Sequence, residues 1–355
     1  MEFETVFYFK KISSIGGVES FYWYLSQLYK NFTIIYREGD PEQIKRLAKN
    51  VEVLKYLDKY GTIKCKKFFC NYGLDIPVEA EEKYHIIHCD YKHTSFKPLL
   101  YPGFKFIGVS KLACDSFKEL TGIEAELIYN PVVIKKTNTP KLTDKIYLVS
   151  ATRLTAEKGG ERINKLCMLL DKNNIDYEWN IYSNRRYRFF GKNIKINPPK
   201  LDLRKEMEQA TYVVQLSDHE SFGLTVAESL MLGTPVIITD IPAFKEIGCK
   251  HGVNSIICDL DMKHVDIDLI KKGLPEFTYK PPKSNWNKYL DQRNKNDPND
   301  HKFNYDPNDK VKVRTLRRIW LVEEDLHIDF NKPVEVSKAR ASELECKGIV
   351  ERCIN

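Results

Sequence analysis

The stretch Ser217–Asp240, SDHESFGLTVAESLMLGTPVIITD, decides the fold. An apolar run, Tyr212–Leu216, leads into it and reads as a buried strand. Glu220 then falls in a turn, and Leu224–Met231 carries helical spacing with Glu228 inside it. Gly233-Thr234-Pro235 stops that helix and launches a second apolar strand, Val236–Thr239. Strand, helix, strand in this order predicts a parallel sheet with helices on its faces, where ligands sit at the carboxyl ends of the strands. The residue types suit such a ligand. Glu220, near the helix start, reaches sugar hydroxyls, and Glu228 accepts two hydrogen bonds from a ribose diol. The amides of Phe222, Gly223, Leu224 and Thr225 open the helix and hold a phosphate or a sugar oxygen. A capped helix with Glu228 on its solvated face accounts for the apolar spacing but not for the whole combination.

Outward from this unit the alternation continues. Upstream lie a strand at Ile146–Ser150, a helix at Gly160–Leu170 and a strand at Trp179–Tyr182. Asn130-Pro131 and the polar segment Lys135–Asp144, KKTNTPKLTD, read as the junction to an earlier series. That series holds strands at Thr5–Phe9, Phe32–Tyr36, Ile86–Cys89 and Phe104–Val109. Its first helix, Val18–Tyr29, places Val18, Phe21, Tyr22, Leu25 and Leu28 on one stripe. Pro41 opens a second helix, and Ser110 caps a third, Lys111–Leu120, that Gly122 ends. Past Lys280 the pattern changes: Arg293–Asp309 reads as loop, followed by strand pieces Val311–Arg314, Ile319–Val322 and Val334–Val336 and a helix, Ser337–Cys346, stopped by Gly348. The expected organisation is therefore a first α/β domain over residues 1–135, a second over 136–290, and a small α+β appendage over 300–355.

Composition narrows the class. A chain of 355 residues suits two domains, and 42% hydrophobic with 12% aromatic residues suits folded ones. The net charge of +7 is mild, with no polybasic run and no basic-aromatic stripe, which argues against nucleic acid as a partner. Nine irregularly spaced cysteines without a CxxC pair suggest reduced thiols rather than zinc or a disulfide framework. The N-terminal MEFETVFYFKK lacks a basic start and a long apolar core, and no apolar run reaches the ~18 residues that span a bilayer. The expectation is a cytoplasmic protein, with peripheral contact at the inner face of the membrane left open.

Further candidates gather at strand ends. Gly16-Gly17 lies between a buried strand and a helix, where backbone amides approach an anion closely. It is neither GxGxxG nor a Walker A loop. Arg153 and Lys158, in SATRLTAEKGG, follow the first strand of the second domain and suit a diphosphate whose charge grows as its bond to a sugar breaks. His88 and Asp90 end a strand in IIHCDYKH, with His93 close behind. Asp259-Leu260-Asp261 and Asp266-Ile267-Asp268 each match a DxD, a spacing able to hold a divalent metal, but both lie in a polar stretch beyond the strands and read as loop or helix-start acids.

Together these residues resemble the donor site of the retaining family 4 glycosyltransferases, over roughly Phe3 to Asn287. The paired glutamates of that family, with seven residues between them, match Glu220 and Glu228. Its diphosphate-binding pair matches Arg153 and Lys158, and its glycine turn matches Gly16-Gly17. FIGVSK at Phe106–Lys111 and YNPV at Tyr129–Val132 are similar to its interior strand and interdomain segment. The resemblance implies the GT-B fold, two Rossmann-like domains facing a cleft, and a retaining hexosyl transfer from a UDP- or GDP-linked sugar without a metal or other cofactor. It implies sugar contact for His88, with Asp90 or His93 as competitors. The acceptor, a glycan, a lipid-linked sugar or a protein, is left unread. The alternative is a non-catalytic sugar-binding or assembly module on the same scaffold. The appendage lies outside the resemblance; partner binding, self-association and capping of the fold all stay open for it.

Overall fold

The computed structural model describes residues 2–293, 306–317, 319–321 and 326–353. Val322 and most of the expected loop after Arg293 lie outside the described residues, as do 300–305 of the appendage.

Val6–Phe9 is apolar on both faces, as a strand flanked on both sides must be, and it sits at the middle of the first sheet. This strand, β1 (Glu2–Ile12), is followed by α1 (Gly17–Leu28), β2 (Tyr29–Lys30), β3 (Thr33–Gly39), α2 (Pro41–Leu47), β4 (Glu52–Lys55), β5 (Ile63–Cys70), β6 (Val78–Ile87), β7 (Phe104–Gly108), α3 (Lys111–Thr121) and β8 (Glu126–Leu127). Among the described residues the sheet has seven strands in the order β4-β3-β1-β5-β6-β7-β8. All neighbours are parallel, with Tyr8 beside both Ile35 and Cys70. The second sheet, order β11-β10-β9-β12-β13-β14, is also parallel. Its strands and helices run β9 (Ile146–Ala151), α4 (Gly160–Lys172), β10 (Tyr177–Tyr182), β11 (Ile194–Asn197), α5 (Arg204–Gln209), β12 (Tyr212–Gln215), α6 (Leu224–Leu232), β13 (Val236–Thr239), α7 (Pro242–Glu246), β14 (Ser255–Cys258) and α8 (Ile267–Lys272). In each sheet the strand order reverses beside the first strand, and a crevice opens there. Gly16-Gly17 lies at the reversal of the first sheet, and Arg153 and Ser217 lie at that of the second.

Three features depart from the sequence reading. First, β5 and β6 are adjacent and parallel, yet only Asn71–Pro77 links them, with no helix. The face this leaves bare is covered by a returning segment. Trp286 is fully buried in the first-domain core, and Tyr289 and Leu290 join it. Phe7, Phe69 and Tyr84 stack in series, at 4.5 and 4.7 Å, against the rings of Trp286 and Tyr289. A short strand, β15 (Asp291–Gln292), then pairs with β2. This returning segment therefore packs on the first domain.

Second, Lys135–Asp144 is strapped down rather than a free linker. The buried Glu208 carboxylate accepts from the amides of Thr137 and Thr139, at 2.7 and 3.0 Å, and Leu142 N donates to Gln209 O. Third, the appendage is a docked layer. It comprises β16 (Lys310–Thr315), β17 (Ile319–Leu321), β18 (Leu326–Ile328), β19 (Pro333–Ser337), α9 (Lys338–Cys346) and β20 (Val350–Arg352). Helix α9 lies on the exposed edge of the first sheet, where Ser342 Oγ donates to Val53 O of β4 at 2.7 Å. Arg352 braces α9 through Glu345 at 3.0 Å and reaches Glu52 at 3.5 Å. An uncovered strand edge is a template for aggregation, so α9 does protective work there.

Candidate active site

A cleft of about 1460 Å3 runs between the two sheets. It is bordered by Gly16, Gly17, His88, Asp90, His93, Arg153, Lys158, Glu220, Phe222, Gly223, Leu224, Thr225 and Glu228, so residues from four separate stretches meet at one place. Asn130, Thr152 and Gln215 also border it, and the Oδ1, Oγ1 and Oε1 of these residues are buried without a hydrogen-bond partner among the described residues.

On the second-domain wall, Arg153 lies two residues past the end of β9 and is exposed. Leu154 follows with φ 52°, a left-handed backbone that a leucine rarely adopts, while its side chain stays in the core. A short turn, Ala156–Lys158, ends at Gly159 with φ 81°. A methyl group there would fall 1.9 Å from Leu216 O, so only glycine fits. The turn aims Lys158 Nζ at Glu220 Oε1, 2.6 Å away. That oxygen also accepts from Ser217 Oγ at 2.8 Å and Gln215 Nε2 at 3.2 Å. Lys158 and Glu220, expected to hold phosphate and sugar separately, are thus paired with each other.

Helix α6 begins at Gly223, φ 91°, with no side chain capping it, which keeps its first-turn amides available. The Phe222 ring is buried in the second-domain core, so only its backbone serves the cleft. Leu224 lies across from the glycine turn, its Cδ1 4.0 Å from where a Gly17 Cβ would stand. One helical turn on, Glu228 accepts a 2.6 Å hydrogen bond from Tyr24 of the first domain. Burial pushes its carboxyl up to about 7, against the pull of Tyr24 and Arg46.

On the first-domain wall, Glu19 folds back beneath the glycine turn and accepts from Ser13 N at 2.7 Å. It is buried, and burial raises its carboxyl while the Ser13 amide and Arg153 oppose the rise. Its Oε2 would lie 2.2 Å from a Gly16 Cβ, so a side chain there would displace the Glu19 carboxylate. His88 Nε2 lies 2.8 Å from Asn71 Oδ1, so its proton sits on Nε2 and Nδ1 is an acceptor. Burial lowers this imidazole to about 3, so it stays neutral at neutral pH, with Nε2 protonated and Nδ1 free to accept. Asp90 is occupied capping the turn Tyr91–His93, accepting from Lys92 N at 3.1 Å. The ring of His93 stacks on His219 from the other domain, with centroids 5.2 Å apart. Ser221 Oγ donates to His88 O at 2.7 Å, which ties the two walls together.

Ser183, Asn184 and Pro199 also border the cleft, with Leu201–Arg204 beyond, while residues 185–198 do not. The two DxD sequences lie elsewhere: Asp259 accepts from the His264 amide at 2.9 Å, and Asp266 caps α8. Sequence reasoning missed Glu19, Tyr24, Arg46, Asn71 and Ser221. Only Glu19 left a signal, an acid in the first turn of a helix that follows a glycine pair.

Comparison with known proteins agrees with this geometry. Residues 134–272 match the family model described as glycosyl transferases group 1. A 64-residue segment is 34% identical to GDP-mannose:cellobiosyl-diphosphopolyprenol alpha-mannosyltransferase of Xanthomonas oryzae pv. oryzae, covering 18% of this chain and 17% of that protein. The counterpart from Xanthomonas campestris is 33% identical over 64 residues, again 18% and 17% of the two chains. The chain thus matches about a sixth of the length of these curated relatives. In three dimensions it is similar to Anabaena Alr3699/HepE, solved with UDP and glucose, at TM-score 0.53 and 14% identity over 76% of this chain and 89% of that one. The architecture is the GT-B fold: two Rossmann-like domains facing a cleft. Among the described residues no helix is long and apolar enough to cross a membrane.

Proposed function

We propose that this chain is a glycosyltransferase that moves a sugar, with retention at the anomeric carbon, from a nucleoside-diphosphate sugar to an acceptor held by the first domain. The observation that carries the reading is the convergence of Arg153, the Lys158–Glu220 pair, the uncapped start of α6 and Glu228 along one wall of one cleft. Each part of the donor has its residue: Glu228 takes the ribose diol, Arg153 and Lys158 the diphosphate, and Glu220 the sugar hydroxyls. The matched family model spans this wall, and the curated relatives, by name, use GDP-mannose.

In the reaction, Arg153 and Lys158 take up the charge that grows on the leaving diphosphate, and they do so without a metal. A leaving oxygen on the same face accepts the acceptor's proton, so no protein nucleophile is required. His88, neutral and with Nδ1 as acceptor, holds a sugar hydroxyl near the reacting carbon. The acceptor side of the cleft is unusually apolar at its rim: Ile15, Tyr72, Phe96 and Leu99 border it, with Phe96 71% exposed. Such a rim suits a lipid-linked sugar presented at the inner face of a membrane, the acceptor class in the names of the matched relatives. The reading is tested with UDP- and GDP-hexoses, each incubated with and without a polyprenyl-diphosphate-linked sugar. Glycosylated lipid whose new anomeric proton has the donor's configuration supports it. Rapid donor hydrolysis that no acceptor alters refutes it.

A further inference from the structure

Tyr24 lies on α1 of the first domain but is buried among the second domain's side chains, in one cluster with Tyr182, Phe222, Val226 and Ala227. Its hydroxyl donates to Glu228 Oε1, the single hydrogen bond to this carboxylate among the described residues. The charged groups around that carboxylate are few. Arg46 of α2 attracts it, Asp202 repels it, and Asp202 is itself gripped by Arg204 at 2.6 Å. Arg46 is held over the Trp23 ring, 4.2 Å from its centroid, rather than on Glu228. The second domain alone therefore carries the carboxylate without fixing it.

We propose that Tyr24 is a positioning residue for nucleoside recognition: reaching across the cleft, it fixes the Glu228 carboxylate, so that the nucleoside's diol site is complete only when the two domains are together. The inference rests on Glu228 being the diol acceptor. A carboxylate offers about four acceptor positions, and one hydroxyl from Tyr24 leaves three, enough for both hydroxyls of a cis diol. Tyr24 thus adds to the ribose contacts instead of blocking them. Domain closure and nucleoside binding become coupled, since each supplies what the other needs.

The test compares affinities of UDP and 2′-deoxy-UDP, with GDP and 2′-deoxy-GDP run in parallel, for the parent chain, Tyr24→Phe and Glu228→Ala. Loss of one hydrogen bond to a charged acceptor separates the ribo and deoxy forms by about tenfold to a hundredfold in the parent. In Glu228→Ala the ratio falls to about one. The inference expects Tyr24→Phe to shrink the ratio at least ~threefold toward that value, with affinity for inorganic pyrophosphate unchanged. Partial unfolding weakens both nucleotides alike and leaves the ratio in place, so a merely structural role does not mimic the effect. A ratio in Tyr24→Phe equal to or above the parent's, alongside a lowered ratio in Glu228→Ala, overturns the inference and leaves the donor reading standing. A parent that binds neither nucleotide, or a ratio that Glu228→Ala does not change, overturns both.

Discussion

Replacing Glu228 with glutamine ought to stabilise the ligand-free protein, and to do so more as pH rises. Burial holds this carboxyl at about 7, against an ordinary 4.5. Between those values the folded chain keeps a proton that the unfolded chain releases, so stability falls as pH rises through the window, and the full cost is reached above it. At ~1.4 kcal/mol per unit the displacement corresponds to at most about 3.5 kcal/mol, and partial exposure of the side chain reduces this to about 1–2 kcal/mol. Glutamine is uncharged at every pH, and its carbonyl still accepts from Tyr24, so the variant escapes the cost without losing that bond. For a chain of this size the gain is about 1–3 °C in melting temperature at pH 8, and less than half of that near pH 5.5. Scanning calorimetry of parent and variant at both pH values measures it. A shift of equal size at the two pH values, or a lower melting point for the variant at pH 8, would refute the claim that Glu228 is held ionised at a cost.

Gly159→Ala forces a methyl group onto Leu216 O in a left-handed backbone; we expect a loss of about 2–4 kcal/mol, read as an earlier urea midpoint with weakened nucleotide binding. Trp286→Ala removes the ring that fills the place of a crossover helix and should cost about 3–5 kcal/mol, with hydrogen exchange accelerating in β1, β5 and β6 before the second domain. A chain ending at Arg293 bares the β4 edge, and light scattering should detect association that the full chain does not show. Lower scattering from the shortened chain would contradict the capping role of α9.

The second domain was legible because its signals are local. One stretch, Ser217–Asp240, contains strand, turn, helix and strand in sequence, and each change of period is punctuated by Gly223 or Gly233-Thr234-Pro235. The first domain was less so. Strand β5, IKCKKFFC, alternates Lys with apolar residues and has no following helix, so nothing in its neighbourhood announces a place in a parallel sheet. Its cover, Trp286 and Tyr289, comes from more than 200 residues away, beyond any local pattern. The site divides in the same way. Residues that end strands or start helices, such as Arg153, Glu220 and Gly16-Gly17, are marked by their position. Tyr24 falls off the apolar stripe of α1 because a second domain buries it, and helical periodicity registers a helix's own core alone. The Lys158–Glu220 pair likewise joins residues 62 apart, and no spacing rule connects them.

The central claim, that this wall of the cleft binds a nucleoside-diphosphate sugar, is tested most directly by the melting temperature in the presence of UDP- and GDP-hexoses. A ligand at one hundred times its dissociation constant adds about 2.7 kcal/mol, a shift of several degrees. The account predicts such a shift with at least one of these donors, and its loss when Arg153 and Lys158 are both replaced by alanine. No shift with any of them, or a shift that survives the double replacement, would contradict it.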